Sequence, residues 1–173
     1  MQNTMNNSRA NQIITLLELQ AHPEGGYFKE TYRSEGHINE DSLGSEYEGK
    51  RHFSTCIYFL LTSKNFSAFH RIKQDEIWHF YDGSTLRLHI IDADGQYSNH
   101  LIGNNLANGE VPQFVVEGGS WFAAEVIESQ GFSFVGCTVS PGFSYEDFEL
   151  ISQAELSRMY PEHSTIIAKL TRH

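Results

Sequence analysis

The chain has 173 residues, 39% of them hydrophobic, and its 22 acidic against 12 basic side chains give a formal charge of −10 near neutral pH. That length suits one domain with a sizeable core, and the acidic balance speaks against nucleic acid as a partner, because phosphate-backbone binders present basic faces. No apolar stretch reaches membrane-spanning length, and the opening MQNTMNNSRANQ lacks the basic start and apolar run of a secretory signal, so we expect a cytoplasmic protein with no membrane partner.

In chain order, Ala10, Ile13, Ile14 and Leu17 follow helical spacing behind the candidate caps Asn7 and Ser8, and His22-Pro23 ends that helix. From Tyr27 the pattern turns to β. Segments near 27–34, 51–62, 66–72, 76–81, 85–91, 96–102, 113–116, 121–127 and 132–139 are rich in aromatic and branched residues. Between them stand Glu24-Gly25-Gly26, Asp82-Gly83, Asp94-Gly95, Glu117-Gly118-Gly119 and Pro141-Gly142, residues that accept the backbone angles of tight turns. Many short strands so punctuated imply a sandwich or barrel. The acidic, glycine-containing stretch 35–50 reads as an exposed loop or lid. Cys56 and Cys137 lie in apolar β-like segments outside any CxxC pair, which is the setting of free buried thiols. Ser152 and Glu155 have capping-box spacing before a short helix, and a second helical piece follows Pro161.

The stretch Phe69–Gly83, FHRIKQDEIWHFYDG, is the most specific. His70, Glu76 and Gly83 stand in the register of the first cupin motif, in which two histidines one residue apart on a strand precede a glutamate and then a glycine. With HPEGGYFKETYRS at 22–34, IYFLL at 57–61, GEVPQFVV at 109–116 and GCTVSPGFSYEDFEL at 136–150, the chain resembles a small branch of single-domain cupins of unknown function over roughly residues 12–150. The resemblance implies an all-β double-stranded β-helix, or jelly-roll barrel, with its core at about 27–150. It also implies short helices at either end, a ligand cavity inside and a homodimer.

Two positions depart from that pattern. Ile72 stands where the motif's second histidine belongs, and Phe122 occupies the histidine position of the second motif when the turn is aligned on Glu117-Gly118-Gly119. Two of the four usual metal ligands are therefore replaced, and we expect no bound metal and no cofactor, although ligands from other strands remain an alternative. His79 falls on the strand face opposite Glu76, Trp78 and Phe80.

His70 and Glu76, if both face inward, form a histidine–carboxylate pair suited to metal-free proton transfer, a logic that the cupin sugar-nucleotide epimerases resemble. We take them as the candidate catalytic residues. A hydrogen bond that merely closes a polar pocket is the plainer alternative. Trp78 and Phe122 share the inward parity and offer an apolar face to a ring, with ordinary core packing as the competing explanation. Arg33 and Glu30 are candidate ligand contacts from one strand, but three residues apart they fall in opposite alternation classes, and a surface ion pair competes. The acid of such a mechanism would be a tyrosine, and Tyr27, Tyr32 and Tyr58 are all available. The implied ligand is a small molecule, carbohydrate-derived or another polar metabolite. The sharper function is an epimerase or isomerase; a non-catalytic binding or regulatory module and a metal-dependent isomerase or oxygenase are the alternatives.

Overall fold

The computed structural model describes residues 2–172. Helix α1 (Gln2–Leu16) leads into strands β1 (Gln20–Ala21), β2 (Tyr27–Arg33), β3 (His37–Ile38), β4 (Arg51–His52), β5 (Thr55–Thr62), β6 (Phe66–Arg71) and β7 (Asp75–Gly83). Then come β8 (Leu86–Ile91), β9 (Tyr97–Ile102), β10 (Gln113–Val116), β11 (Trp121–Val126), β12 (Phe132–Ser140) and β13 (Glu149–Leu150), with α2 (Gln153–Met159) and α3 (Ser164–Leu170) closing the chain.

Nine sequence segments reappear as strands with ends moved by a residue or two, because alternating inward and outward side chains fix both existence and register. Three details differ. Helix α1 starts at Gln2, so Asn7 and Ser8 lie within it and do not cap it. The segment 51–62 is two strands, β4 and β5, broken at Phe53-Ser54. The stretch 35–50 is not wholly loop, since β3 pairs antiparallel with β4 and a single 3-10 turn spans Glu40–Ser42.

The long strands form two sheets, one in the order β1-β2-β5-β12-β7-β10 and the other β13-β6-β11-β8-β9, with sequence-distant neighbours everywhere but at β1-β2 and β8-β9. This is a jelly roll. Between the sheets lies a core that includes Phe59, Leu61, Trp78, Leu88, Phe122 and Val135. At roughly 25 cal/mol per Å² of apolar surface, each such side chain contributes on the order of 2 kcal/mol by burial. The five-stranded sheet has a second apolar layer on its far side, where Phe69, Ile91 and Trp121 meet Leu156, Ile167 and Leu170 of α2 and α3. Ala10 and Ile13 of α1 pack with Leu60 and Phe132 on the back of the other sheet. The expected capping box is present: Ser152 accepts from the Glu155 backbone N–H while the Glu155 carboxylate accepts from the Ser152 N–H.

Two local features position the site. The turn after β1 is closed by His22 N–H to the Gly26 carbonyl and Gly25 N–H to the His22 carbonyl, both at 3.0 Å. It requires φ of +117° and +77° at Gly25 and Gly26, the left-handed half of backbone space that glycine enters freely. This turn is tied to β6 by the Ala68 N–H on the Glu24 carbonyl at 2.9 Å. Arg172 steadies it from the far end of the chain, its Nη2 donating to the carbonyls of Glu24 (3.3 Å) and Phe66 (3.1 Å). The second feature is a bulge in β2: Glu30 faces Ile57 and Tyr32 faces Cys56 across β5, so one residue is extra. No helix among the described residues is long and apolar enough to cross a membrane.

Candidate functional site

A cavity of about 80 Å³ lies at one end of the space between the sheets. Strand β2 contributes Phe28, Glu30 and Arg33 to its wall; β5 contributes Thr55, Ile57 and Phe59; and β12 contributes Cys137 and Val139. His70 enters from β6, Glu76 from β7, and His22 and Glu24 from the glycine turn. Phe143, Tyr145 and Phe148, from the segment after β12, complete the wall and pack edge-on against one another with ring centroids 5.1 to 6.1 Å apart.

The carboxylate bound to His70 is Glu24, a correction to the pairing with Glu76 read from the motif. His70 Nε2 lies 2.9 Å from Glu24 Oε2, and Nδ1 lies 2.7 Å from the Ala68 carbonyl. A carbonyl and a carboxylate can only accept, so both ring nitrogens must donate, and the form that satisfies both contacts is the imidazolium. Burial opposes that charge, yet the charge and hydrogen bond of Glu24 hold the His70 pKa above its ordinary value. Burial likewise works to raise the Glu24 pKa, but the imidazoles of His70 and His22, with hydrogen bonds from His70 and from Ser67 Oγ at 2.8 Å, bring it below the usual range. His22 is different: its Nδ1 lies 3.3 Å from the Glu24 backbone nitrogen, and burial lowers its pKa against the raising effect of the Glu24 charge.

Glu76 is buried in the same cavity, but among the described residues no N–H or O–H group donates to its carboxyl. Burial first, and the Glu24 carboxylate second, push its pKa up to about 7, against smaller opposing effects of His70 and the Cys137 thiol. Cys137 is driven well above an ordinary thiol by burial and then by Glu76, so it remains protonated.

Glu30 and Arg33 converge. The bulge inserts one residue between them, cancels the odd spacing and lets Arg33 bind Glu30 through Nε (2.9 Å) and Nη2 (2.6 Å) at the cavity mouth. Arg33 Nη1 also reaches the Phe143 carbonyl at 3.2 Å. Simple alternation separates the two residues, and only the bulge brings them to one side. Trp78 and Phe122 point inward as their parity requires, but they sit deeper, in the core, and do not form the cavity wall. Phe122 supports the site from behind, its ring 4.1 Å from that of His70. His79 faces the other way and binds Thr138 Oγ1 at 3.1 Å.

Two site residues escaped the sequence reading. Glu24 was visible only as part of the block HPEGGYF, where turn geometry already explained the glycines. Tyr145 is the tyrosine of the wall, whereas Tyr27, Tyr32 and Tyr58 lie outside it; its place depends on where the chain returns after β12, which periodicity does not encode.

Catalytic metals in this fold need a fuller donor set than the site provides. Ile72 and Phe122 stand at two ligand positions and both His70 nitrogens are engaged. Among the described residues no three His, Cys, Asp or Glu side chains converge to hold an ion. The donors present do not fit such a metal, and no step below is routed through one.

A family model described as Cupin superfamily (DUF985) matches residues 11–151. An uncharacterised protein of Saccharomyces cerevisiae is 33% identical over 94% of this chain and 86% of its own length. Among solved structures, a hypothetical protein from Leishmania major superposes with a TM-score of 0.86 at 37% identity, covering 95% of this chain and 99% of the other. A Shewanella oneidensis protein gives 0.85 at 41% identity, over 94% and 97%. Oxalate decarboxylase from Bacillus subtilis matches at 0.53 and 14% identity, over 87% of this chain and 36% of the enzyme, a likeness of fold alone.

Proposed function

Because the chain belongs to the cupin superfamily, in the family DUF985, whose fold carries many unrelated chemistries, we propose from the site itself that this protein binds a small molecule in the Glu24–His70–Glu76 cavity and moves a proton on it without a metal. The observation that carries the reading is Glu76: a buried carboxyl with a pKa of about 7, open to the cavity and held beside a fixed ion pair. A base poised near the working pH combines availability with driving force. Glu76 takes a proton from a carbon next to a carbonyl, and the electron pair moves onto the carbonyl oxygen. His70, with both nitrogens committed, supplies fixed positive charge near that oxygen and is no base. Tyr145 is our candidate for the acid that returns a proton; its side chain is half-exposed, and partial desolvation first, then the nearby Glu24 and Glu30 charges, raise the pKa of its phenol. An epimerase or isomerase is the sharper form of this proposal. A carbohydrate-derived ligand fits it less well than a smaller metabolite, because a sugar needs several open polar partners and most here are engaged with one another.

A metabolite-binding screen followed by incubation of each hit in deuterium oxide tests this. Exchange of a ligand C–H proton, lost in Glu76→Gln, is the expected result. Exchange that survives Glu76→Gln removes the base, and binding without exchange in the parent leaves a non-catalytic binding module.

We also propose a homodimer and a cytoplasmic location. The resemblance of the chain motivates the dimer, and the exposed Tyr32, Tyr81 and Val115 of the six-stranded sheet are consistent with a partnered face. Light scattering at micromolar concentration should return twice 19.7 kDa, and a constant monomer mass would refute pairing.

A further inference from the structure

Charge bookkeeping around the cavity is lopsided. Three carboxyls, Glu24, Glu30 and Glu76, face it against two cations, Arg33 and His70. Each cation is spoken for. Arg33 is held in a two-pronged pair by Glu30, with the Phe143 carbonyl on its remaining nitrogen. His70 gives one N–H to Glu24 and the other to the Ala68 carbonyl. An incoming anion would find the charge of each cation already paired with a carboxylate and would lie beside a buried carboxyl, which costs desolvation and repulsion together.

The groups left open have the opposite preference. Glu76 is 8% exposed and, among the described residues, only the weak S–H donor of Cys137 meets its carboxyl. The cavity that Glu76 lines is walled by five aromatic rings, Phe28 on β2, Phe59 on β5, and Phe143, Tyr145 and Phe148 from the returning segment. Aromatic rings attract cations through their quadrupole, most strongly where water is excluded, and a carboxylate completes the match with a charge-assisted hydrogen bond. The molecule as a whole carries −10, a field that concentrates cations and repels anions.

We propose that the ligand of this cavity is a small organic cation, an alkylammonium group whose N–H donates to Glu76 while its carbon substituents lie against the aromatic wall. This rests on the reading that the cavity binds small molecules and narrows it to one charge class. In a proton-transfer reaction the same ammonium would sit beside the carbon that loses its proton, so an amine next to a carbonyl group is the substrate class implied.

Three probes of similar size and different charge separate the possibilities: propylammonium, 1-butanol and butyrate. Each is titrated into the intact protein at pH 7.5, with binding read from backbone amide shifts of cavity residues in heteronuclear NMR. Propylammonium should bind at least tenfold more tightly than butyrate and lose about tenfold in Glu76→Gln, whereas 1-butanol should be unaffected by that substitution. Phe148→Leu, which removes one aromatic face, should weaken propylammonium and leave 1-butanol nearly unchanged. Equal or tighter binding of butyrate, or propylammonium binding untouched by Glu76→Gln, overturns the charge assignment while leaving the cavity a binding site. If no probe shifts the cavity amides, the binding reading fails as well.

Discussion

Glu24 and Glu76 are buried in one cavity with opposite consequences for stability. The folded pKa of Glu24 is lowered, so its contribution is complete above the unfolded value of 4.5 and disappears as pH falls through the folded pKa. The His70 pKa is raised, so its contribution is complete below the unfolded 6.5 and is lost as pH rises through the folded value. Glu76 is a cost: with its pKa moved from 4.5 to about 7, ionising it in the folded state opposes folding increasingly across that interval, by about 3 kcal/mol once pH exceeds both values. We therefore expect Glu76→Gln to gain stability over the parent as pH rises from 5 to 8, with a difference approaching that size in urea melts. A pH-independent difference would show that Glu76 titrates normally. Glu24→Gln should do the reverse to its neighbour: with the carboxylate gone and burial still opposing charge, the His70 pKa should drop below 6.5, as a ¹⁵N titration of the imidazole would report.

At the scale of elements, the aromatic segment 143–148 keeps its place through a buried anchor. Arg51 on β4 binds Asp147 in a two-pronged pair with both contacts at 2.7 Å, and Gln74 Nε2 adds a third at 2.7 Å. Arg51 also gathers the loop before it, its Nη1 donating to the carbonyls of Glu48, Gly49 and Lys50. Removing one partner of a buried pair leaves an uncompensated charge, so Asp147→Asn should cost about 3–5 kcal/mol. Amide hydrogen exchange should speed up most at Tyr145 to Phe148, and an equal change across all strands would dissociate the anchor from that segment. The sheets themselves were legible in the sequence, since aromatic and branched residues at alternate positions define a strand wherever they fall. The anchor was not: a lone arginine at 51 and an aspartate at 147 carry no local signal of a partner 96 residues away. Nor was the β2 bulge, which changes parity without changing composition and so concealed that Glu30 and Arg33 meet. Glu76, on a regular strand inside a recognisable motif, lines the cavity as its parity predicts, while the carboxylate that meets His70 sits on a turn, where no periodicity points to it.

For the whole molecule, apolar layers on the outer sides of both sheets tie the terminal helices to the sandwich. We accordingly expect residues 1–173 to behave as one domain, with a single denaturation transition that coincides by circular dichroism and tryptophan fluorescence; two separated transitions would divide it. Leu156 of α2, fully buried against the five-stranded sheet, should cost about 2–5 kcal/mol as Leu156→Ala, and that loss should appear in the same transition.

The strut from Arg172 to the Glu24 turn has a kinetic meaning. It spans 148 residues, and the cavity's other members come from β2, β5, β6, β7 and β12, so every piece of the site is joined by contacts of long sequence separation. Such contacts form late, after the loop-closure entropy between them has been met. During synthesis Glu24 is made early, yet its turn cannot be braced until α3 and the two residues after it, Thr171 and Arg172, have emerged and docked. The hydrophobic sandwich can thus condense before the charged pocket is finished. A refolding chain should recover its tryptophan burial ahead of the His70–Glu24 ion pair, leaving an interval in which the protein is compact but not yet able to hold a ligand.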